Sequence, residues 1–232
     1  MSADAVVLTG VTRAYPGGVT GLDDVSLRVP RGAFLAIMGE SGSGKSTLLH
    51  VASGLDVPTR GSVAIGGVEI GRMGEARRAK VRREQVGFIF QSYNLVPSLT
   101  VEQNITLPLR LAGRSPDRRW IAELVERTGL AGLLRRAPDE LSGGQRQRVA
   151  VVRALVARPA VVFADEPTGA LDARTAEGIL DLLSSLVTDL GQTVVMVTHD
   201  PGAAARAGHT VLMAGGRISR IVGRPVAVGA AA

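Results

Sequence analysis

One glycine-rich segment restricts the fold of this chain more than any other. Residues 39–46 read G-E-S-G-S-G-K-S; the apolar run AFLAIMG leads into them, and a helix is expected from Ser46 to about Ser53, closed by Gly54. A loop of this spacing between a buried strand and a helix is typical of phosphate binding, because its backbone N–H groups and the helix dipole attract an anion. The alternative is a glycine-rich turn with a chance lysine, and the complete spacing argues against it.

The loop predicts a nucleotide as the ligand, together with Mg²⁺. Lys45 is placed to neutralise the β- and γ-phosphates, and the hydroxyl of Ser46 is placed to bind Mg²⁺. Tyr15, which precedes Pro-Gly-Gly, is either a turn aromatic or a face on which a base stacks. The predicted nucleotide-binding residues of the loop are Gly39, Glu40, Ser41, Gly42, Ser43, Gly44, Lys45, Ser46 and Thr47.

Apolar runs that alternate with helical segments predict a mostly parallel sheet covered on both faces. The predicted buried strands are 33–39, 86–91, 160–166 and 193–199. Further strands are expected at 5–8 and 25–29, and hairpins at 61–70 and within 209–222.

Two of the later helices have recognisable ends in the sequence. Ser115 is predicted to cap a helix that has Pro116 in its first position and stops at Gly129. Asp172 is predicted to cap another, with leucines along one face up to Gly191. Prolines divide residues 92–140 into short helical pieces. We therefore expect a single domain over 1–225 with a helical insertion at about 92–157, followed by a loose tail at 226–232.

The net charge leaves two classes of partner to weigh. A formal charge of +6 favours binding to a nucleic acid or to an anionic membrane surface. The arginines are spread along the chain, however, and aromatic residues make up only 3% of it, so no basic segment offers stacking rings. Solvated arginines with a nucleotide ligand are the preferred interpretation, and no nucleic-acid partner is expected.

Residue types and runs that are missing from the sequence exclude further classes. Without cysteine there are no disulfides and no thiolate metal sites. No uncharged apolar run reaches about 18 residues, so no membrane-spanning helix is expected. The start, MSADAVVLTG, lacks the pattern of a signal peptide. If the protein works at a membrane, another chain is expected to supply the spanning part.

Polar residues follow three predicted strands, at the edge where a parallel sheet binds its ligands. Asp165 suits an Mg²⁺ ligand, and Glu166 suits a base that orients or deprotonates water. The alternative for this pair is helix capping before Pro167. His199 could contact a terminal phosphate or be a turn residue, and Gln91 could touch Mg²⁺ or the attacking water.

A second helix start of the phosphate-binding kind lies far downstream. Residues 139–155 read DELSGGQRQRVAVVRAL, where a serine and two glycines precede a helical run to about residue 157. Such a start also attracts an anion. It has no lysine. The sequence therefore contains two phosphate-type helix starts, and only the first has a lysine that can neutralise a phosphate.

Together these motifs resemble the nucleotide-binding ATPase subunit of ABC transporters, over about residues 5–220. GESGSGKST resembles the Walker A loop, VVFADE the Walker B strand and LSGGQ the ABC signature. Gln91 matches the Q-loop, His199 the switch histidine and Tyr15 the adenine-stacking tyrosine. GALD at 169–172 matches the D-loop, with Gly169 where serine is frequent. FIFQSYNLVPSLTVEQNITLPLRLAG and DEPTGALD are similar to the lipoprotein-release and macrolide-export branch.

The resemblance implies an α/β fold and an ATPase activity with ATP and Mg²⁺ as cofactors. The implied fold is a P-loop NTPase core with a mostly parallel sheet, an N-terminal antiparallel β subdomain and an inserted α-helical subdomain. The implied catalytic residues are Glu166, His199, Gln91 and Lys45, and the implied metal ligands are Ser46, Gln91 and Asp165. The implied nucleotide contacts outside the loop are Tyr15, Ser142, Gly143, Gly144 and Gln145.

The resemblance also implies partners. Two copies would meet head to tail, so that each ATP lies between the Walker A loop of one copy and the signature helix of the other. A separate membrane permease would carry the motion, which places the chain at the cytoplasmic face of the membrane. The alternative is a regulatory ABC ATPase that controls a cell-envelope process without moving cargo. Members that act on DNA or ribosomes fit less well, because this chain has no cysteine and a single cassette.

Overall fold

The chain folds into two β-sheets with helices packed around the larger one, in a computed structural model that describes residues 4–223. The elements in chain order are β1 (Asp4–Ala14), β2 (Thr20–Pro30), β3 (Phe34–Gly39), α1 (Lys45–Ala52), β4 (Arg60–Ile65), β5 (Val68–Glu69), α2 (Glu75–Gln85), β6 (Val86–Phe90), α3 (Val101–Leu111), α4 (Arg118–Arg127), α5 (Gly143–Leu155), β7 (Val161–Asp165), α6 (Ala173–Leu190), β8 (Val194–Val197), α7 (Pro201–Ala204), β9 (His209–Ala214) and β10 (Arg217–Gly223). Two short 3₁₀ turns, Ala131–Leu133 and Pro138–Glu140, precede α5.

The larger sheet confirms the prediction of a mostly parallel core. Its strand order is β10-β9-β3-β8-β7-β6, and only the β10–β9 pairing is antiparallel. In its register, Phe90 pairs with Asp165, and Asp165 pairs with Val197. The carboxyl ends of β6, β7 and β8 therefore lie side by side, and the residues that follow them meet at one edge.

The smaller sheet is antiparallel and has the order β2-β1-β4-β5. It lies over one face of the larger sheet, where its side chains and those of α1 bury Leu35, Ile37 and Phe163. The opposite face, which includes Ala36 and Ala164, packs against α3, α4, α5 and α6. Because alternate strand residues point to opposite faces, both faces are apolar and both are covered.

Several predicted element ends agree with the structure because they depend on local chemistry. Helix α1 is followed by Gly54 in the left-handed region, with a φ of 74°. Asp172 caps α6 by accepting a hydrogen bond from the Thr175 N–H at 3.0 Å, and Gly191 ends that helix with a φ of 63°. Helix α5 begins at the predicted residue and ends at Leu155, two residues before the predicted end.

The predicted cap of α4 is wrong. Asp117, not Ser115, caps this helix, and its carboxylate accepts a hydrogen bond from the Trp120 N–H at 3.1 Å. Pro116 lies before the cap instead of in the first turn, and Gly129 follows the helix end with a φ of 66°, as predicted. A carboxylate two residues beyond the serine was the better acceptor, and it lies next to the positive end of the helix dipole.

Helix α2 was not predicted, because its sequence EARRAKVRREQ has no apolar stripe. None of its residues is buried, and Glu75 forms ion pairs with Arg78 and Arg82. Strand β6 also differs from the prediction. It is the edge of the sheet, so only alternate residues of it, Gly87 and Ile89, are buried.

Residues 92–157 contain helices and turns between β6 and β7, and the division of the chain into subdomains stays a prediction. The tail predicted at 226–232 lies outside the described residues. Over residues 4–223, each helix is too short or too polar to cross a membrane.

Candidate nucleotide-binding site

The phosphate-loop candidate has the backbone geometry that its glycines allow. Gly42 and Gly44 lie in the left-handed region with φ of 78° and 102°. Gly44 caps α1, and no side chain forms a capping hydrogen bond there, so the first turn of α1 has no side-chain acceptor for its N–H groups. Lys45 Nζ folds back over the loop and donates to the carbonyl oxygens of Gly39 (2.8 Å) and Glu40 (2.7 Å). The loop thus combines a helix N-terminus with a fixed ammonium group.

A cleft of about 520 Å³ connects this loop to the polar residues at the strand ends. Tyr15, Val19, Thr20 and Gly21 line one end of it, and Asp165, Glu166 and His199 line the other. Between them lie Gly39, Glu40, Ser41, Gly42, Gly44, Lys45, Ser46 and Thr47. Of the predicted loop residues only Ser43 does not line the cleft; its side chain is buried beneath the loop. The cleft therefore has an aromatic end, a phosphate-type middle and an acidic end.

Glu166 has the most unusual backbone at the acidic end. Its φ of 46° is uncommon for a residue with a β-carbon, and such conformations concentrate at functional sites. Its N–H donates to the Val197 carbonyl at 3.0 Å, and its own carbonyl accepts from the Gly169 N–H at 3.0 Å. These bonds hold the carboxylate at the end of β7, where it projects into the cleft.

His199 contacts Glu166 directly. The His199 Nδ1 lies 2.8 Å from Glu166 Oε2, and the hydrogen bond and charge of Glu166 raise the pKa of the histidine. The side chain of His199 is 70% exposed and that of Glu166 only 24%, so the histidine forms the outer wall of the acidic end. A protonated His199 would offer a donor to an anion in the cleft.

The donor set fits an Mg²⁺ ion that is shared with a nucleotide. Burial raises the pKa of the Asp165 carboxyl; His50 and Lys45 oppose this shift and Glu166 adds to it. Residues 4–223 contain no cluster of three or more His, Asp or Glu side chains that could hold a metal by themselves. Mg²⁺ usually takes one or two protein oxygens and completes its octahedron with phosphate oxygens and waters. Asp165 and Ser46, both on the cleft, provide that number of oxygens.

Gln91 follows β6 and lies outside the cleft lining, next to Gly169. A β-carbon at Gly169 would lie 2.8 Å from Gln91 Nε2 and 3.4 Å from Glu166 Oε2. The glycine therefore leaves room for both side chains, and a serine in its place would push the Gln91 amide away. Gln91, Glu166 and Gly169 form one group at the strand ends.

The start of α5 does not contribute to this cleft. Ser142, Gly143, Gly144 and Gln145 are absent from the lining among the described residues. A closed capping box occupies the start: the Ser142 hydroxyl accepts from the Gln145 N–H at 3.3 Å, and Gln145 Oε1 accepts from the Ser142 N–H at 2.9 Å. The Ser142 hydroxyl proton and the N–H groups of the two glycines remain for an outside acceptor.

Tyr93 links the Gln91 segment to the start of α5, and sequence reasoning missed it. Tyr93 and Asn94 have φ of 62° and 47°. The Arg153 guanidinium donates to the Tyr93 carbonyl at 2.7 Å and to the Asn94 carbonyl, while the Arg146 guanidinium lies 5.7 Å from the centre of the Tyr93 ring. A β-carbon at Gly143 would lie 3.0 Å from the Tyr93 hydroxyl. No sequence periodicity connects residues so far apart.

Comparison with known proteins gives one consistent family. A model described as "ABC transporter" matches residues 22–169. The lipoprotein-releasing system ATP-binding protein LolD of Bordetella avium is 47% identical over 205 residues, which cover 88% of this chain and 89% of that protein. The macrolide export ATP-binding/permease protein MacB 1/2 of Paracoccus denitrificans is 45% identical over 232 residues, which cover 97% of this chain and 35% of that protein. The match to MacB 1/2 is therefore to about a third of its length.

Solved structures agree with the sequence relatives. A dimeric ATP-binding cassette, MJ0796, in a post-hydrolysis state with ADP and Pi superposes with a TM-score of 0.84 at 38% identity, covering 94% of this chain and 98% of that one. The cbiO1 protein of Clostridium perfringens, part of the cbiONQ transporter complex, gives a TM-score of 0.85 at 27% identity, covering 95% and 88%. These likenesses confirm the predicted fold class.

Proposed function

The chain belongs to the ABC transporter family, and from this premise we propose that two copies close head to tail around ATP and drive a separate membrane permease. The chain is an ATP-binding and ATP-hydrolysing subunit of a transporter complex. The pairing of copies, the permease, the Mg²⁺ site and the role of each residue are parts of the proposal.

The head-to-tail pairing is supported by the separation of the two helix starts. The cleft carries the lysine and the acidic end, whereas Ser142 and its glycines lie outside it. In a pair, the α5 start of one copy would donate to the γ-phosphate held by Lys45 of the other. The dimeric form of the MJ0796 cassette supports the pairing of two copies.

The proposed chemistry is the transfer of the γ-phosphoryl group of ATP to water, which gives ADP and phosphate. Lys45 and the loop N–H groups hold the phosphates, and Glu166 orients the water and takes its proton. His199 donates to the γ-phosphate, and Gln91 positions the water from the side of Gly169. When bound, Mg²⁺ would be held by Ser46 and Asp165, with Gln91 beside it, and would neutralise charge on the β- and γ-phosphates.

The proposed partner is an integral-membrane permease of the lipoprotein-release and macrolide-export type. The identity to LolD, an ATP-binding protein of a lipoprotein-releasing system, and to MacB 1/2, which joins ATP-binding and permease parts, supports this branch. The chain would then act at the cytoplasmic face of the membrane. Residues 92–157, the helical segment between β6 and β7, would move as a unit and carry the signature helix with it.

The observation that carries the proposal is the strained Glu166 at the acidic end of the cleft that also contains Lys45. We expect Glu166→Gln to bind ATP normally and to lose at least about a hundredfold in hydrolysis, because the base is removed. An ATP-dependent dimer should then accumulate, as measured by light scattering on a size-exclusion column. Glu177→Gln, an exposed carboxylate on α6, is the matched control. Turnover of the Glu166 variant near the wild-type rate would reject Glu166 as the base.

A further inference from the structure

A network of charged residues surrounds the Tyr15 side chain at the aromatic end of the cleft. The Arg13 guanidinium lies over the Tyr15 ring, 4.6 Å from its centre. The same Asp56 oxygen, Oδ2, accepts a hydrogen bond from the Tyr15 hydroxyl at 3.1 Å and from Arg13 Nε at 2.8 Å. The side chains of Arg13 and Asp56 are each only 22% exposed. The ring is therefore fixed at its hydroxyl and covered on one face.

Asp56 is itself held firmly at the C-terminal end of α1. The N–H groups of Leu55 and Asp56 both donate to the His50 carbonyl, at 2.9 and 3.0 Å. Asp56 Oδ1 accepts from the Val57 N–H at 2.7 Å. Since α1 begins at Lys45, one short helix carries the phosphate loop at its start and the anchor of Tyr15 just beyond its end.

Gly21 completes the surroundings of the ring. A β-carbon there would lie 2.8 Å from Tyr15 Cε2 and 2.9 Å from Thr47 Cγ2. The edge of the ring thus lies close to Thr47, in the first turn of α1, with only a glycine between them. The ring has little freedom to shift towards or away from the phosphate loop.

We propose that Arg13 and Asp56 are positioning residues for the nucleotide base, which hold Tyr15 with one face against the guanidinium and the other face available for stacking. This inference rests on the proposed function and on the stacking of Tyr15 on the base, which the sequence resemblance implies. Helix α1 carries the phosphate loop at its start and the anchor of Tyr15 just beyond its end, so it fixes the position of the stacking face relative to the phosphate loop. Stacking reads the π-face of a base and not its edge, so the network would accept nucleotides with different bases.

The test compares two ligands that share phosphates and differ in the base. Binding of Mg–ATP and of inorganic tripolyphosphate to the full chain is measured by titration calorimetry. We expect Arg13→Gln and Asp56→Ala to weaken ATP binding by about tenfold, since each releases the ring. The affinity for tripolyphosphate should be unchanged in both, because this ligand does not reach Tyr15. Asp56→Asn keeps an acceptor of the same shape and should lose less than Asp56→Ala.

The controls separate this inference from the role of Tyr15 itself. Arg28→Gln removes an ion pair with Asp4 at the opposite end of the β1–β2 pair and should change neither affinity. If Tyr15→Ala weakens ATP binding but Arg13→Gln and Asp56→Ala do not, the positioning role is wrong and the stacking role stands. If Tyr15→Ala also leaves ATP binding unchanged, both are wrong. Equal losses for ATP and tripolyphosphate in the Arg13 and Asp56 variants would mean a general structural role and would overturn the inference.

Discussion

The two phosphate-type helix starts of this protein differ in the hydrogen-bond donors and the positive charge that remain free to bind an anion. At α1 a glycine is the cap, no side chain bonds to the first turn, and the Lys45 ammonium lies across the loop. At α5 the Ser142–Gln145 box already satisfies two N–H groups, and no lysine is near in the sequence. The first start is left open to an anion, whereas the second is stable without one.

This difference shows that the start of a helix can be fully capped within one copy and still be unable to bind a nucleotide by itself. The capping box stabilises the start of α5 in a single copy, as capping does in any helix. Only a hydroxyl proton and two glycine N–H groups then remain, which is too little to hold a triphosphate without the charge of a lysine. The α5 start therefore suits a supporting contact to a phosphate that another chain holds.

The largest effect is expected when the open start loses its charge. Lys45→Ala should lower ATP affinity by about a hundredfold and hydrolysis by about a thousandfold, because the lysine neutralises the phosphates in the ground and transition states. Equilibrium binding and steady-state hydrolysis measure the two quantities. The only other lysine, Lys80 on α2, provides the control, and Lys80→Ala should behave like wild type. Nearly unchanged ATP binding in Lys45→Ala would refute the assignment of the primary site.

A bulky side chain at the second start should separate binding from hydrolysis. Ser142→Arg should leave ATP binding to a single copy intact and reduce hydrolysis by about a hundredfold, because the side chain would block the approach of the helix to a γ-phosphate. Ser115→Arg, in an exposed loop before α4, is the control. Should Ser142→Arg abolish ATP binding to the monomer, the signature would belong to its own chain's pocket.

A smaller effect is expected where the Gln91 segment is tied to α5. Arg153 donates to the carbonyls of Tyr93 and Asn94 and forms no ion pair within residues 4–223. Arg153→Met should leave nucleotide affinity unchanged and lower kcat by about fivefold to tenfold, since the carbonyls of Tyr93 and Asn94 lose a charged donor and the last turn of α5 loses its tie to the segment that follows Gln91. Arg148→Met, an exposed arginine of the same helix, is compared with it. A loss confined to KM would contradict this account.

The smallest effect is expected in the free energy of unfolding. Ser142→Ala should lower the free energy of unfolding by about 1 kcal/mol, because the α5 start loses its cap. Asp117→Ala should cost a similar amount at α4, whereas Ser115→Ala should cost nothing measurable. Urea unfolding of the three variants tests this order. A larger cost for Ser115→Ala than for Asp117→Ala would contradict the capping seen in the structure.

Sequence reasoning succeeded where the chemistry is local. The phosphate loop, the caps at Ser142 and Asp172 and the glycine ends follow from neighbours within a few residues, so their helices were placed almost correctly. The parallel core followed from apolar runs that end in polar residues. These runs also placed Asp165, Glu166 and His199 at one edge of the sheet, where the structure brings them together.

What the sequence could not reveal is of two kinds. Helix α2 has no apolar stripe and is stabilised by ion pairs, so the spacing of apolar residues did not predict it. The other kind consists of contacts between distant segments, such as Arg13 and Tyr15 with Asp56 or Tyr93 with Arg153. Only the folded chain brings these residues together, and the low exposure of Arg13 and Asp56 became visible there.

The central claim, that one chain supplies half of each active site, is tested most directly by mixing two inactive variants. In a head-to-tail pair of Lys45→Ala with Ser142→Arg, one site combines both defects and the other has an intact Lys45 and an intact Ser142. Mixing equal amounts should therefore restore hydrolysis to at most about a quarter of wild type, because half of the random pairs are mixed and each contains one intact site. If the mixture stays as inactive as its components, Lys45 and Ser142 do not act across two copies and the claim is wrong.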